Sequence, residues 1–217
     1  MISVIILAGG SGQRFGGDTP KQFIKLSGKR LIDYSIQTFT QEKKIDEIIL
    51  VVHIEWYSLL KKEYPQLKII IGGNSRKESS YIGLKACNEN TQKVLIHDGA
   101  RPFVNSRIIN DCLVELEKSK AVATAIPIID TVVEVEKNII KSMLNRSKIW
   151  AEQTPQGFDY NLILKAHENY HGEVTDDIRL IINENIQVKI IMGDENNFKV
   201  TTKNDLLVAE SKLGNKK

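Results

Sequence analysis

Short runs of apolar and β-branched residues alternate with longer stretches of helical periodicity along most of the chain, and nothing else in the sequence restricts the fold so severely. Ile2–Leu7 (ISVIIL), Ile48–Val52 (IILVV), Lys68–Ile71 (KIII), Val94–His97 (VLIH) and Ala121–Ile126 (AVATAI) are close to continuously apolar, as expected of strands covered on both faces. Between them, Leu31, Tyr34, Ser35, Thr38 and Phe39 lie on one helical stripe, while Ile82, Leu84, Ala86 and Cys87 mark a second helix. Ile108, Ile109, Cys112, Leu113 and Leu116 mark a third. Right-handed crossovers between such strands predict an α/β fold with a mostly parallel sheet flanked by helices. The binding crevice should then lie at the carboxyl ends of the strands.

After Pro127 the pattern changes. Thr131–Val135 and Ile139–Met143 cluster apolar residues on either side of Glu136-Lys137-Asn138, which has the composition of a hairpin turn. A lone hairpin is marginal in water, so an arm at about 129–150 needs another surface for its apolar side chains, and a second copy of the chain is the expected one. The pattern resumes with a strand at Ile149–Gln153, helices around Tyr160–Tyr170 and Asp176–Asn183, a strand at Val188–Met192 and a helix from about Lys203 to Lys212. Gly214-Asn215-Lys216-Lys217 reads as a frayed end. No repeat, low-complexity tract or linker divides the chain, so residues 1–217 are read as one domain.

Composition removes several function classes. The 217 residues are 41% hydrophobic and 26% charged, which is the make-up of a globular protein rather than a disordered one. Lys plus Arg is 30 and Asp plus Glu 27, and the difference of +3 is too small to suggest a polyanion-binding surface, so no nucleic-acid partner is expected. Ile2–Ala8 lacks a basic flank and runs straight into glycines, too short for a signal peptide or a membrane span. A cytoplasmic protein without a membrane partner is the expectation. Cys87 and Cys112 have no metal-ligand spacing and fall in helical patterns, where they read as buried free thiols.

The strongest local signal follows the first strand: Leu7-Ala8-Gly9-Gly10-Ser11-Gly12-Gln13-Arg14-Phe15-Gly16-Gly17, then Pro20-Lys21-Gln22. Glycines let backbone N–H groups close around an anion, and Arg14 and Lys21 can neutralise phosphate charge from either end of the loop. This chemistry suits a triphosphate. A plain strand-to-helix turn also tolerates glycine, but it has no use for two cations. The P-loop is excluded because no Gly-Lys-Ser/Thr ending follows, and the dinucleotide fingerprint because Phe15 stands where its last glycine belongs. His53, at the end of the second strand, also replaces the acid that a dinucleotide site carries there. Further on, Gly72-Gly73 and Ser79 fall where a strand gives way to a helix, which suits recognition of a base edge or an ordinary helix cap. His97-Asp98-Gly99-Ala100-Arg101-Pro102 places Asp98 at the carboxyl edge of the sheet, where it can hold Mg²⁺, a substrate hydroxyl, or simply an ion pair with Arg101. His97 reads as structural.

In these blocks the chain resembles the polyol-phosphate cytidylyltransferases, the family of the methylerythritol-phosphate and ribitol-phosphate enzymes. The opening loop looks like that family's Ala-Ala/Gly-Gly-x-Gly-x-Arg-x-Gly…Pro-Lys-Gln signature. Gly72–Ser79, His97–Pro102, Asp130-Thr131, Arg146 with Gln153-Thr154-Pro155-Gln156, Thr175-Asp176-Asp177 and Asn197–Thr201 then match in order. The resemblance implies a Rossmann-like nucleotidyltransferase fold with a projecting β-arm, a homodimer through that arm, and CTP as the nucleotide. It implies that Ala8, Gly9, Gly10, Ser11, Gly12, Arg14, Lys21, Gly73, Ser79 and Asp98 bind the nucleotide. It implies that Asp98, Arg101, Thr131, Arg146, Thr154, Thr175 and Lys199 gather around the acceptor's phosphate, with Thr131 and Arg146 reaching the partner's site from the arm. Arg14, Lys21 and Lys199 are its catalytic cations, and Asp98 its candidate ligand for Mg²⁺ or another divalent cation.

The implied reaction is attack by an acceptor phosphate on the α-phosphorus of CTP, with pyrophosphate leaving. A phosphate monoester, with a second pKa of about 6, is already nucleophilic near neutral pH, so no general base is needed. Three departures bear on the acceptor. Asp130-Thr131 is followed by Val132-Val133, where the family often has a lysine; Ile178 and Ile182 replace a small residue and a glutamate; and the loop opens Ala8-Gly9-Gly10 rather than Ala-Ala-Gly. 2-C-methyl-D-erythritol 4-phosphate leads as the acceptor, with ribitol 5-phosphate or another polyol phosphate as the alternative. A non-catalytic nucleotide-binding protein is the alternative of another class, and the joint retention of Arg14, Lys21, Asp98 and Lys199 argues against it.

Overall fold

The computed structural model describes residues 1–10, 20–172 and 174–214. Its elements are β1 (Ile2–Ala8), β2 (Lys25–Leu26), β3 (Lys29–Arg30), α1 (Leu31–Thr40), β4 (Glu47–Val52), α2 (Ile54–Glu63), β5 (Lys68–Ile71), α3 (Arg76–Lys85), β6 (Lys93–Asp98), α4 (Ser106–Glu115) and β7 (Ala121–Pro127). There follow β8 (Val133–Glu136), β9 (Ile139–Met143), β10 (Trp150–Asp159), α5 (Tyr160–Asn169), α6 (Ile178–Asn183), β11 (Lys189–Met192) and α7 (Lys203–Gly214). The central sheet runs β11-β7-β10-β6-β1-β4-β5. Its pairings are parallel except at β10, which lies antiparallel between β6 and β7. The expected mostly parallel sheet flanked by helices is therefore observed.

Strand alternation divides the core into two layers. Val4, Ile6 and Ala8 of β1, with Leu50 and Val52 of β4, pack with Phe39, Leu60 and Ile109 from α1, α2 and α4. Ile5 and Leu7, with Ile49 and Val51, pack with Leu84, Ile163 and Ile181 from α3, α5 and α6. Continuous apolar strands are thus explained by burial on both sides. Gly83 brings α3 hard against the sheet, since a Cβ there would lie 2.6 Å from Ile5 Cγ2. A third, smaller cluster joins Leu26 and Leu31 to Val200 and Ala209, fastening α7 and the segment before it to the β2–β3 hairpin.

Several elements differ from the sequence reading. The strand expected at Ile149–Gln153 continues to Asp159. Pro155 disguises it, because proline cannot donate to a ladder; it survives here where the β10–β7 register shifts between Gln153 and Gly157. Thr124 Oγ1 donates to the Pro155 carbonyl at 2.6 Å, satisfying an acceptor freed by that shift. Helix α2 escapes the periodicity because Leu60 is its one buried residue. The short β2–β3 hairpin, which turns through Ser27 and Gly28 at positive φ, is likewise unforeseen. Cys87 lies beyond the end of α3 and is half-buried, whereas Cys112 is buried within α4. Burial pushes the Cys87 thiol up to about 12.

The arm exists, although its first strand starts at Val133 rather than Thr131. β8 and β9 pair with each other and with no other described strand. Lys137 and Asn138 occupy the two turn positions at φ 49° and 63°, as a primed two-residue hairpin turn requires.

The order of the sheet also locates the cleft. The chain moves outward from β1 to β4 and β5, then returns to lay β6 along the other side of β1. Ligands of open α/β sheets bind outside the carboxyl ends of strands at such a reversal, here beyond Ala8 and Asp98.

Candidate active site

Beyond the ends of β1, β4, β5 and β6 lies a cleft of about 630 Å³. Among the described residues, Ala8, Gly9, Gly10, Lys21, Gly73, Ser79, Asp98, Thr175 and Lys199 of the predicted set line it. Ser11, Gly12 and Arg14 lie outside the described residues. The role of Gln22 in the Pro-Lys-Gln segment is now physical. Its buried Nε2 donates to the carbonyls of Ala8 and Gly10, both at 2.7 Å. The turn at Lys21–Phe23 is thereby clamped to the start of the glycine loop, and Lys21 is carried to the cleft.

On the opposite wall, Ser75 rather than Ser79 caps α3, accepting from Glu78 N at 3.1 Å. Ser79 is buried and its Oγ accepts from Gly73 N at 3.1 Å. Close packing here depends on glycine: a Cβ on Gly72 would stand 2.9 Å from Ser79 Oγ and 3.1 Å from Val51 Cγ1. The helix-cap reading of Ser79 is therefore wrong, and its hydroxyl instead fixes the backbone of the wall around Gly73.

Asp98, the last residue of β6, is the electrostatic centre. Its Oδ1 accepts from Arg76 Nε at 3.3 Å and its Oδ2 from Lys199 Nζ at 2.7 Å, with Arg101 Nε 3.8 Å from Oδ2. Burial alone would raise this carboxyl, but Arg76, Lys199 and Arg101 outweigh it and hold it well below the usual carboxylate range. Lys199 is delivered by a stitched segment: Val200 N donates to Ala100 O at 2.9 Å, and Asn197 Nδ2 donates to Thr154 O at 2.8 Å.

The remaining acceptor candidates separate. Arg101 does not line the cleft; it donates to the carbonyls of Asn197 at 2.8 Å and Glu152 at 3.2 Å, so it holds the walls behind Asp98. Thr154 is buried, its Oγ1 accepting from Asp98 N at 3.1 Å and lying 3.0 Å from His97 Nδ1. Its hydroxyl is thus engaged behind the site rather than presented to a ligand. Thr131 and Arg146 are exposed at the arm and outside the cleft of their own chain, Arg146 Nη1 donating to Ile129 O at 2.9 Å. His97 is fully buried, between Thr154 and the Arg101 carbonyl, and burial lowers its pKa to about 4.

Arg76, which lines the cleft, stands within the Gly72–Ser79 block but carried no assigned role in the sequence reading. A cation directly after the Ser75 cap was the available signal. Asp98 is the single carboxylate among the described lining residues, and no group of three His, Cys, Asp or Glu side chains suited to a metal occurs among the described residues. Lys21, Arg76 and Lys199 line the cleft with glycine backbone and a single described carboxylate, which makes a site for a polyanion.

Comparison with known proteins agrees in extent and in kind. Residues 2–215 match the family model described as IspD, 2-C-methyl-D-erythritol 4-phosphate cytidylyltransferase. The chain is 42% identical to the 2-C-methyl-D-erythritol 4-phosphate cytidylyltransferase of Clostridioides difficile (strain 630), over 100% of this chain and 95% of that protein. Its structure is similar to the 4-diphosphocytidyl-2C-methyl-D-erythritol synthase of Anaerococcus prevotii DSM 20548, with a TM-score of 0.89 and 31% identity over 98% of this chain and 96% of the other. The 2-C-methyl-D-erythritol 4-phosphate cytidylyltransferase of Francisella tularensis gives a TM-score of 0.83 at 32% identity, covering 97% and 98% of the two chains. With the match spanning both walls of the cleft, the chain belongs to the 2-C-methyl-D-erythritol 4-phosphate cytidylyltransferase family.

Proposed function

We propose that this cleft transfers CMP from CTP to 2-C-methyl-D-erythritol 4-phosphate and releases pyrophosphate, a step of isoprenoid precursor synthesis. The observation that carries the reading is the family match over residues 2–215, which takes in every segment that lines the polyanion cleft. A phosphate oxygen of the acceptor attacks the α-phosphorus of CTP in line. The new O–P bond forms as the bond to the pyrophosphate oxygen breaks, and the leaving group carries the electron pair away.

Each group has a task in this scheme. Backbone N–H groups of the glycine loop hold the triphosphate, the wall at Gly73 and Ser79 faces the base, Lys21 and Lys199 oppose charge building on the α-phosphorus, and Arg14 supports them. Asp98 keeps Lys199 aimed into the cleft before substrate arrives. Asp98 is the one carboxylate among the described cleft residues and both its oxygens already accept from cations, so an Mg²⁺ ion here would be held mainly by substrate phosphates and, when bound, would supply further charge neutralisation.

The oligomer and location complete the reading. Ile139, Ile140 and Met143 are exposed on an arm that pairs with no other described strand, and Arg146 follows them. A second copy packed on this arm would cover the apolar side chains and carry Thr131 and Arg146 toward the neighbouring acceptor site. No described helix is long and apolar enough to cross a membrane. A cytoplasmic site of action belongs to the proposal because the reaction consumes a nucleoside triphosphate.

Pyrophosphate release tests the whole reading. With Mg²⁺, CTP and 2-C-methyl-D-erythritol 4-phosphate, release is expected, with UTP, ATP and GTP much poorer. Turnover confined to ribitol 5-phosphate would overturn the acceptor, and silence with every acceptor would leave a nucleotide-binding protein.

A further inference from the structure

From Arg76 on the cleft wall a line of polar side chains runs back into the interior, and the transfer scheme leaves it unused. Arg76, the first residue of α3, donates from Nε to Asp98 and from Nη1 to Asp177 Oδ2 at 2.6 Å. Asp177, just before α6, has a side chain with no solvent exposure, and its Oδ1 lies 2.9 Å from Nε2 of His167 on α5. The His167 side chain is also fully buried, with the Tyr81 ring stacked on it at 5.8 Å and 12°. Its Nε2 is thus the nitrogen that meets the carboxylate, while Nδ1 has no hydrogen-bond partner. Gln156 Oε1 accepts from Asp177 N at 3.3 Å and fixes the backbone as well.

Asp177 does not line the cleft, so it cannot touch a substrate there. Its effect must pass through Arg76. A guanidinium presents five N–H donors in a planar fork and tends to engage a carboxylate through two of them. Left alone beside Asp98, Arg76 would be able to take both carboxylate oxygens. Anchored through Nη1 to Asp177, it reaches Oδ1 alone, and Oδ2 is left for Lys199.

We infer that Asp177, held by His167, is a positioning residue that anchors Arg76 from behind and so divides the two oxygens of Asp98 between Arg76 and Lys199. The catalytic part of this inference rests on the proposed transfer, whereas the anchoring part does not.

The test pairs an activity with a readout that needs no turnover. In ¹⁵N NMR the Arg76 Nε–H should be protected from solvent exchange in the free protein. In Asp177→Asn, which keeps the shape and removes the charge, its exchange should accelerate at least tenfold and kcat should fall at least tenfold, with CTP affinity within about threefold of the parent. In an Arg76→Lys background the same substitution should change kcat by less than twofold, because the anchored group is already gone. His167→Gln, which retains a donor, should stay within about threefold of the parent, and His167→Leu should follow Asp177→Asn; this pair carries the test if Asp177→Asn does not fold. Unchanged Arg76 exchange in the variants would overturn the anchor, whatever the acceptor proves to be. Faster exchange with unaltered kcat, or an equal loss in the Arg76→Lys background, would overturn the positioning role. A parent enzyme without pyrophosphate release would defeat the proposed function and leave the exchange measurement to decide the anchor.

Discussion

Lys199 and Thr154 lie on opposite sides of Asp98 and should fail in opposite ways when altered. The Lys199 side chain is one-third exposed and its ion pair with Asp98 opens onto the cleft. Without Lys199, Asp98 still has Arg76 and Arg101 beside it, so the folding cost should be small, whereas a preorganised donor facing transition-state charge is worth roughly 10²–10³ in rate. Lys199→Ala should therefore lose about a hundredfold or more in kcat while its urea midpoint stays near the parent's, and rates near the parent's would refute its role at the α-phosphorus. Thr154 is buried and accepts from the Asp98 N–H. Thr154→Val removes that acceptor, and a buried donor left unsatisfied costs about 1–3 kcal/mol. Urea denaturation should register that loss for valine and little of it for Thr154→Ser. Equal stability of all three forms would mean that the hydroxyl does not support the strand end. A residue named through resemblance as an acceptor contact thus acts, on its geometry, as a brace for the carboxylate.

At the scale of elements, legibility followed burial. β1, β4, β6 and β7 could be read because both faces are covered and their apolar runs are unbroken, and the edge strand β5 because its run Ile69–Ile71 is β-branched although only Ile69 is buried. α2 could not, since a helix with Leu60 as its one buried residue prints no stripe, and β10 could not, since Pro155 and Gly157 interrupt a strand whose irregular pairing accommodates them. The start of the glycine loop and the end of β6 were legible for a different reason: Gly9, Asp98 and Gly73 sit close in sequence to strand ends, where the topology of the sheet determines their place, whereas Lys21 is carried there by the Gln22 clamp. Arg76 and Asp177 meet from 101 residues apart, and no local pattern announces such a pairing. The arm was visible because apolar residues cluster on either side of Glu136-Lys137-Asn138, and among the described strands β8 and β9 lack any partner but each other. That same lack makes it testable. In sedimentation velocity the parent should run as a dimer, as proposed, and Ile139→Lys with Met143→Lys as a monomer that retains the circular dichroism of the sheet domain, with activity falling if Thr131 and Arg146 serve the neighbouring site. A double variant that remains dimeric would place the interface elsewhere.

For the whole molecule, the formal charge of +3 conceals a segregated distribution, with Arg76, Lys199 and Arg101 massed about Asp98 at one end of the sheet. His97 sits at the back of this cluster, neutral and buried, with a pKa brought down to about 4 chiefly by burial, against the pull of Asp98. An unfolded histidine titrates near 6.5. Between pH 6.5 and 4 the unfolded chain therefore binds a proton at this residue that the folded one refuses, and the contribution of His97 to stability falls as the pH falls. The contribution is fully present above pH 6.5 and is lost toward pH 4, amounting to about 3 kcal/mol over the interval. Asp98 and Asp177, both held below the ordinary carboxylate range, act in a lower window: their contribution is present above about pH 4 and disappears below it. Urea titrations at half-unit steps from pH 8 to 4.5 separate the two. The Glu152 carboxyl, raised to about 7 chiefly by desolvation, acts with the opposite sign over the same range, so the test is a difference. The slope for His97→Gln, which cannot take up a proton, should be lower than the parent's by up to one proton between pH 6.5 and 4.5, despite a lower plateau. Parallel curves for the two proteins would mean that His97 is not the group that couples folding to pH in this window.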